Sequence, residues 1–254
     1  MSSALQRLQA LERHLNSNPV FGMQEASGEK KPSEKSVLYP FTVTDVQDIT
    51  PRFRIVELQG DRLREVIWNP GEKMKVRIGN SHRSYTPMFV DRKSGKTQFL
   101  IHLHGNGQGA NWARDLQIGE EAHLTDPKAS LKLPPKESEV VFFGDETTFG
   151  AACAVQSFCR NSRQLFEVAS LEEGGKVLLH RNFSTAQLTL KEEGDAHLEK
   201  IAKQIIEMAA SCRDPQVVLM GRKQSILKVT ELLRSQNFPS ENCRSKDHWS
   251  HKPK

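Results

Sequence analysis

Cysteine is scarce in this chain, and its spacing does not fit a metal site. The four cysteines, Cys153, Cys159, Cys212 and Cys243, form no CxxC pair. Zinc and iron–sulfur ligation are therefore unsupported, because both need several cysteines at short, defined spacings. Isolated thiols of this kind are typical of a reducing compartment, so we expect a cytoplasmic protein with reduced cysteines.

Long apolar runs are absent as well. No stretch of the 254 residues approaches the roughly 20 apolar residues that are needed to cross a bilayer. The N-terminal region also lacks the uninterrupted apolar core of a signal peptide. We therefore expect neither stable membrane insertion nor export.

A concentrated basic patch is also missing. The formal net charge is +5, but the basic residues are scattered among acidic ones. Because there is neither a zinc-finger spacing nor an aromatic-rich basic patch, we do not expect nucleic acid as a partner. Small anionic ligands, such as nucleotide cofactors or acidic metal chelates, account for a mild positive balance equally well.

The first 36 residues form a region of their own. Residues 3–15 carry the apolar stripe of an amphipathic helix, and residues 24–36 form a polar linker. The helix is expected to dock on its own domain or on a second subunit, and a membrane-surface anchor is the less favoured alternative. The sequence does not determine the oligomeric state.

Residues 37–130 show the pattern of short strands. Alternation and turn signals predict strands at residues 39–49, 53–58, 74–78, 84–90, 97–103 and 122–125. A single internal helix is predicted from about residue 107 to residue 116. This arrangement predicts a small antiparallel β-barrel domain.

Residues 137–254 follow an exposed linker at 131–138 and alternate between strands and helices. Strands are predicted at residues 140–143, 165–169, 176–179 and 216–220, and helices at 147–160, 197–212 and 223–235. The pattern is typical of a doubly wound α/β domain. Ligands of such domains bind beyond the carboxyl ends of the strands.

A glycine-rich turn carries the first chemical signal. His104 opens the sequence HGNGQG, in which Gly105, Gly107 and Gly109 permit close approaches that a side chain would block. The helix that follows presents free N–H groups and a positive dipole end, which favour a phosphate. A Rossmann fingerprint with Asp126 as the ribose-binding acid and an ordinary glycine loop are the alternatives. The short helix and the preceding strands argue against the Rossmann alternative.

The second signal is Arg83-Ser84-Tyr85-Thr86. Strand alternation puts Arg83 and Tyr85 on one face. An arginine fork suits a diphosphate, a tyrosine ring can stack, and the Thr86 hydroxyl can bond a heteroaromatic nitrogen. Alone, such a pair is more often a solvated arginine over a packed aromatic ring. Together with the glycine turn, it predicts flavin adenine dinucleotide (FAD) as the ligand.

Three predicted strand ends carry signals for a second nucleotide. Gly144-Asp145-Glu146-Thr147 opens a helix whose N–H groups can meet a pyrophosphate, although the threonines serve equally well as helix caps. Arg181 and Arg222 follow two other strand ends and are candidates for the extra phosphate of NADPH. Solvated surface arginines are the alternative for both.

The chain resembles the siderophore-interacting protein family, which is related to the ferredoxin–NADP reductases. The matching segments, in order, are RSYTP from residue 83, HGNGQGANWA from 104, GDET from 144 and KDHW from 246. Together they extend over roughly residues 37–250. The resemblance implies an antiparallel flavin-binding barrel at 37–130, followed by a doubly wound NAD(P)H-binding α/β domain at 137–254.

The resemblance also implies an activity. NADPH or NADH reduces FAD, and FAD then gives single electrons to a ferric siderophore, so that ferrous iron is released in the cytoplasm. No catalytic acid, catalytic base or metal ligand is implied, because the cofactor supplies the chemistry.

The resemblance and the patterns above assign the site residues. Arg181 is favoured over Arg222 because family members commonly carry an arginine at that place. Cofactor binding is assigned to Arg83, Ser84, Tyr85, Thr86, His104, Gly105, Gly107, Gly109, Ala110, Trp112, Asp145, Glu146, Thr147, Arg181 and Trp249, and substrate binding to Lys246.

Three departures from the family pattern keep other functions open. Phe149-Gly150 replaces the usual small residues and proline, Arg222 replaces an acidic residue, and no arginine follows Trp249. One alternative is a non-enzymatic flavin- or nucleotide-binding module. The other is a flavin reductase that serves a different electron acceptor, such as a quinone or a protein.

Overall fold

Two β-sheets of different kinds organise the chain in the computed structural model, which describes residues 37–159 and 161–250. The amphipathic helix and polar linker predicted before residue 37 lie outside the described residues. None of the described helices is both long and apolar enough to cross a membrane.

The first sheet is antiparallel and has seven strands. Its strands are β1 (Tyr39–Thr50), β2 (Phe53–Gln59), β3 (Met74–Ile78), β4 (Ser81–Tyr85), β5 (Phe89–Asp91), β6 (Lys96–His102) and β7 (Glu121–Leu124), with the helices α1 (Arg62–Glu65) and α2 (Gln108–Asp115). The spatial order is β4-β3-β7-β1-β2-β6-β5. Alternate residues such as Phe99 and Ile101 point into the interior of this half-barrel, as the period-2 pattern predicts.

The predicted strand at residues 84–90 is two strands in the structure. β4 ends at Tyr85 and β5 begins at Phe89, so that Thr86, Pro87 and Met88 form a break. Proline has no N–H group to donate to a neighbouring strand, which explains the interruption. The break leaves Thr86 at the edge of the sheet, beside the glycine turn.

The second sheet is parallel and has five strands. It contains β8 (Glu139–Asp145), β9 (Asn161–Val168), β10 (Gln187–Leu190), β11 (Pro215–Arg222) and β12 (Cys243–Trp249), with the helices α3 (Phe149–Phe158), α4 (Leu171–His180), α5 (His197–Ala210) and α6 (Lys223–Ser235). The order is β10-β9-β8-β11-β12. From β8 the chain adds β9 and β10 on one side of the sheet, and then β11 and β12 on the other side. This reversal of the strand order confirms the predicted doubly wound α/β pattern.

Two predictions for this half were wrong. Residues 176–179, predicted as a strand, lie in α4, where the Ser170 hydroxyl accepts a hydrogen bond of 3.3 Å from the N–H of Glu173 at the helix start. The strands β10 and β12 were not predicted. Both are edge strands of the sheet, and β12 exposes most of its polar residues, so neither shows a strong apolar pattern.

One hydrophobic core runs through both sheets. It joins Phe53, Met88 and Leu100 of the first sheet to Phe142 and Phe149 of the second. The described residues, 37–159 and 161–250, accordingly fall within one compact unit. The segment between the sheets includes the predicted linker, but the division into two domains stays a prediction because the core is continuous.

Candidate functional site

A cleft of about 500 Å³ lies where the barrel meets the carboxyl ends of the parallel strands. Its walls come from β4, β6, the start of α2 and the end of β12. The predicted site residues that line it are Arg83, Ser84, Tyr85, Thr86, His104, Gly107, Gly109, Ala110, Thr147, Lys246 and Trp249. Gly105, Trp112, Asp145, Glu146 and Arg181 do not line it.

Arg83 lies at one corner of the cleft, beside the first residue of α2. Its Nη2 donates a hydrogen bond of 3.1 Å to the side-chain oxygen of Gln108, and its Nη1 donates one of 2.9 Å to the carbonyl of His82. The side chain is otherwise exposed. The guanidinium is thus held at the N-terminus of α2, beside the helix N–H groups, and both kinds of donor suit an anionic group.

Gly109 lets β4 and α2 come into contact. A Cβ atom at this position would lie 2.6 Å from the Tyr85 hydroxyl and 3.3 Å from Cγ of Arg83. The contact confirms that Arg83 and Tyr85 share a face. Tyr85 also stacks on Trp112, with ring centroids 6.0 Å apart, and burial raises the pKa of its hydroxyl to about 12. Trp112 therefore supports the wall of the cleft from behind.

The glycine turn exposes the backbone at the start of α2. Gly105 has a φ of +53°, and Gly107 is the N-cap with no side chain that accepts from the helix. The first N–H groups of α2 therefore have no side-chain cap, and the donor set fits a diphosphate. The Rossmann alternative is wrong, because the preceding strand β6 is antiparallel and Asp126 forms a bidentate ion pair with Arg62 at 2.6 and 2.8 Å.

Two histidines follow one another along the wall of the cleft. The ring of His102 stacks on Phe53 at 4.8 Å, and the ring of His104 lies 5.6 Å from His102. Burial lowers the pKa of His102 to about 4, so this ring is neutral at physiological pH. Among the residues that the structure describes, no group of three potential ligands could hold a metal ion.

Asp145 joins the end of β8 to the end of β12. The buried carboxylate accepts hydrogen bonds from the N–H and hydroxyl of Thr147 at 2.8 and 2.6 Å, and from the indole N–H of Trp249 at 2.8 Å. The carboxylate therefore caps the helical turn that contains Thr147, and it also anchors Trp249. Its contribution to the cleft is to fix the position of the indole ring in the wall.

Glu146 points away from the cleft, toward the ends of β9 and β10. It accepts hydrogen bonds from the N–H of Ala169 and from the ammonium group of Lys191, both at 2.5 Å. Burial, the largest single effect, would raise its pKa, but the charge and hydrogen bond of Lys191 together with the hydrogen bond from Ala169 outweigh it, and the pKa is lowered. The side chain thus links neighbouring strand ends.

The two arginines proposed for NADPH lie in different places. The prediction that Arg181 follows a strand is wrong, because the residue caps the C-terminus of α4. Since α4 runs back from the end of β9 to the start of β10, Arg181 lies at the opposite edge of the sheet from the cleft. Arg222 is the last residue of β11, where its guanidinium pairs with Asp195.

Of the basic rim of the cleft, the sequence singled out only Lys246. Lys73 lines the cleft together with Lys246, His82 and His248. Burial, then the charges of Lys246 and Lys75, lowers the pKa of Lys73. The rim is assembled from separate strands. The sequence signals for its two histidines were that His82 precedes Arg83 and that His248 follows Lys246 closely.

Comparisons with solved structures define the class of fold first. A ferredoxin reductase in carbazole 1,9a-dioxygenase is 14% identical, with a TM-score of 0.67 over 86% of this chain and 71% of that chain. The siderophore-interacting protein from Acinetobacter baumannii is 12% identical, with a TM-score of 0.67 over 87% and 93%. A siderophore utilization protein from T. fusca is 18% identical, with a TM-score of 0.63 over 86% and 94%. The fold is therefore ferredoxin reductase-like.

A sequence match supports the family resemblance over one segment of the chain. Residues 80–131 match the model of the siderophore-interacting FAD-binding domain. This segment contains β4, the glycine turn and α2, which form the corner of the cleft around Arg83. No curated protein sequence matches the chain.

Proposed function

We propose that this chain is a flavoprotein oxidoreductase that passes electrons from NADH or NADPH through FAD to a ferric siderophore. The observation that carries the proposal is the corner of the cleft, where Arg83 and the uncapped N-terminus of α2 present donors to the same ligand. The family match at residues 80–131 covers the same corner and supports FAD as the ligand.

Each part of the cleft has a role in this proposal. Arg83 and the backbone from Gly107 to Ala110 bind the diphosphate. Thr86 and His104 border the ring system, and Tyr85 with Trp112 keeps the wall behind it closed to water. Trp249, held by Asp145, forms the opposite wall next to the ends of the parallel strands.

The second sheet supports a nicotinamide donor by its topology. The switch point between β8 and β11 is where open α/β sheets bind nucleotides, and the end of β8 borders the cleft through Thr147. A dinucleotide that lies across these strand ends brings its nicotinamide toward the cleft. Donor and FAD sites therefore adjoin.

The acceptor is a chelated ferric ion in this proposal. FAD held by Arg83 and the start of α2 would supply the change from two-electron to one-electron transfer, for which the balance is NAD(P)H and two Fe(III) giving NAD(P)⁺, H⁺ and two Fe(II). No bond of the chelate has to break for an electron to pass, so the reaction needs no protein acid or base. Lys73 and Lys246 at the rim attract an anionic chelate.

Anaerobic spectroscopy tests the proposal. The purified protein is incubated with FAD, washed free of excess cofactor and mixed with NADH or NADPH without oxygen. We expect the visible flavin bands to bleach and then to recover when a ferric siderophore is added, with one equivalent of donor reducing two of iron. Recovery with a quinone but not with any ferric siderophore would assign a different acceptor. No bleaching with either donor would contradict the oxidoreductase proposal.

Replacing Arg83 tests the assignment of the diphosphate corner. We expect Arg83→Ala to weaken FAD binding by about tenfold to hundredfold, because a bidentate, charge-assisted contact is lost. Arg77→Ala removes the same charge from an exposed position on the neighbouring strand β3 and serves as the control. Equal FAD retention by both variants would reject the role of Arg83.

A further inference from the structure

Arg222 lies at the switch point of the parallel sheet, but its guanidinium already contacts side chains of the same protein. It ends β11, the strand next to β8, and its guanidinium forms an ion pair with Asp195. Its Nε donates a further hydrogen bond of 2.7 Å to the hydroxyl of Ser225. Both partners are supplied by this chain, so a phosphate that approaches the strand end meets a neutralised arginine.

Asp195 follows β10, which lies on the opposite side of β8 from β11 in the strand order. It belongs to a 3₁₀ turn, Glu193–Asp195, that follows β10 and precedes α5. Because β9 and β8 lie between β10 and β11, the pair of Asp195 and Arg222 spans the end of the sheet beside the switch point. The side chains of Arg222 and Asp195 are 15% and 36% exposed, so water screens the pair less than it would a fully exposed pair.

A buried hydrogen-bond network holds the pair of Asp195 and Arg222 in place. The Ser225 hydroxyl donates to Glu167 of β9 at 2.6 Å, and Nε2 of His197 donates to the other oxygen of Glu167 at 2.8 Å. The N–H of Glu192 donates to Nδ1 of His197, which leaves the proton on Nε2. Since Glu167, His197 and Ser225 are buried, the turn that carries Asp195 has a defined position over the strand ends.

Lys191, another cation at this edge, is also paired with a carboxylate. Lys191 is bound to Glu146, and the first turn of α4, which follows β9, carries Glu172 and Glu173. The end of the second strand, β9 in this sheet, is where an acidic residue holds a free ribose or an arginine holds a 2′-phosphate. Glu167 of β9 is linked to Arg222 through Ser225 and to the turn of Asp195 through His197, which brings both residues to this strand end. Lys223, which opens α6, is exposed to water.

We infer that the donor site selects NADH over NADPH, with Asp195 as the residue that excludes the 2′-phosphate. The inference rests on the proposed function and specifies its donor. A 2′-phosphate carries up to two negative charges and would need Arg222, which Asp195 neutralises. NADH lacks this group, and its ribose hydroxyls can donate to a carboxylate.

The rates of FAD reduction by NADH and NADPH provide the first test. We expect kcat/KM to be at least about tenfold higher for NADH in the FAD-loaded protein. Asp195→Asn should reduce this ratio about fivefold by improving NADPH, because it frees the guanidinium. Asparagine tolerates the positive φ of +62° at this position, so the turn is retained.

Binding of nucleotide fragments provides a readout that does not depend on activity. Calorimetry compares 5′-AMP, the adenosine half of NADH, with 2′,5′-ADP, the adenosine half of NADPH. We expect the wild type to bind 5′-AMP at least as tightly, and Asp195→Asn to gain affinity for 2′,5′-ADP alone. Asp61→Asn is the control, because it removes one carboxylate from an exposed ion pair with Arg64 on the barrel.

The outcomes separate the inference from the proposed function. FAD reduction that is faster with NADPH, or tighter binding of 2′,5′-ADP to the wild type, would overturn the inference and leave the oxidoreductase proposal intact. An equal change in Asp61→Asn would also overturn it, because the effect would then come from net charge. If neither donor reduces FAD and neither fragment binds, both the inference and the proposed function are wrong.

Discussion

At the scale of single residues, Gly109 shows how a missing side chain determines the shape of the cleft. The space that its Cβ would need is taken by the Tyr85 hydroxyl and by Arg83. In the proposed site, Arg83 binds the diphosphate and Tyr85 forms part of the wall. The glycine is therefore required by a close approach and not by an unusual backbone angle.

We expect Gly109→Ala to weaken FAD binding by about tenfold to hundredfold, because a Cβ there overlaps Tyr85 and must displace it or Arg83. A titration of the apoprotein with FAD, followed by flavin fluorescence, measures the change. Gly175→Ala is the control, because the added Cβ has no neighbour within 4 Å and lies on α4. FAD binding as tight as in the wild type would show that the contact is not needed.

A second residue-scale prediction concerns pH. The pKa of His102 falls from 6.5 to about 4 in the folded protein, mainly through burial, with His104 opposing protonation and Glu146 favouring it. Between these pH values the unfolded chain takes up a proton that the folded protein does not. The free energy of unfolding should therefore decrease as pH falls from 6.5 to 4, by at most about 3 kcal/mol.

Urea denaturation at pH 7 and at pH 4.5 measures this loss. We expect His102→Gln to lose less stability between the two pH values than the wild type, whereas His180→Gln, on the exposed end of α4, behaves as the wild type does. The same loss in His102→Gln as in the wild type would assign the pH dependence to other groups.

The residue scale also shows what the sequence could and could not predict. Strand alternation placed Arg83 and Tyr85 on one face, and the structure confirms that face. Asp145 was predicted from its motif as a cofactor ligand, yet its carboxylate accepts hydrogen bonds from Thr147 and Trp249. The partner Trp249 is about a hundred residues away, and no local pattern reports such a distant hydrogen bond.

At the scale of elements, α4 shows why a helix was read as a strand. Its sequence LEEGGKVLLH contains two adjacent glycines, which have low helix propensity, followed by a short apolar run. The capping hydroxyl of Ser170 and the packing of Val177 on the sheet outweigh that propensity. Propensity is local, whereas the packing that decides the element is not.

The two glycines of α4 have different surroundings, which gives a prediction for the element. Gly175→Ala should stabilise the protein by about 0.5–1 kcal/mol, because the Cβ enters open space and the helix gains propensity. Gly174→Ala should gain less or destabilise, because its Cβ would lie 3.0 Å from Cδ1 of Leu188. Chemical denaturation of both variants makes the comparison. Equal effects would mean that the contact with β10 does not limit the helix.

At the scale of the whole molecule, Phe149 joins the two sheets. Its ring lies 5.4 Å from that of Phe53 in the barrel and 4.3 Å from that of Phe166 in the parallel sheet, and it is fully buried. The sequence located the change from alternating strands to strand–helix units correctly. It could not show that the linker joins halves with a common core, because contacts between distant segments leave no periodic pattern.

We expect Phe149→Ala to destabilise the protein by about 3–5 kcal/mol and to separate the unfolding of the two halves, because the cavity lies at their junction. Calorimetry should show one transition for the wild type and two for the variant. Phe183→Ala removes a buried ring that packs edge-on against Phe166 of the parallel sheet, and it should keep one transition. A single transition in both variants would show that the halves are coupled by other contacts.

The placement of the tryptophans has a spectroscopic consequence. Of the three in the chain, Trp249 lines the cleft and Trp112 stands directly behind its wall, while Trp68 hydrogen-bonds to the carbonyl of Glu72 in a loop. An isoalloxazine ring in the cleft would lie within energy-transfer range of the first two indoles. Intrinsic tryptophan fluorescence should therefore decrease as the cofactor binds, so the unlabelled protein itself reports the occupancy of the cleft.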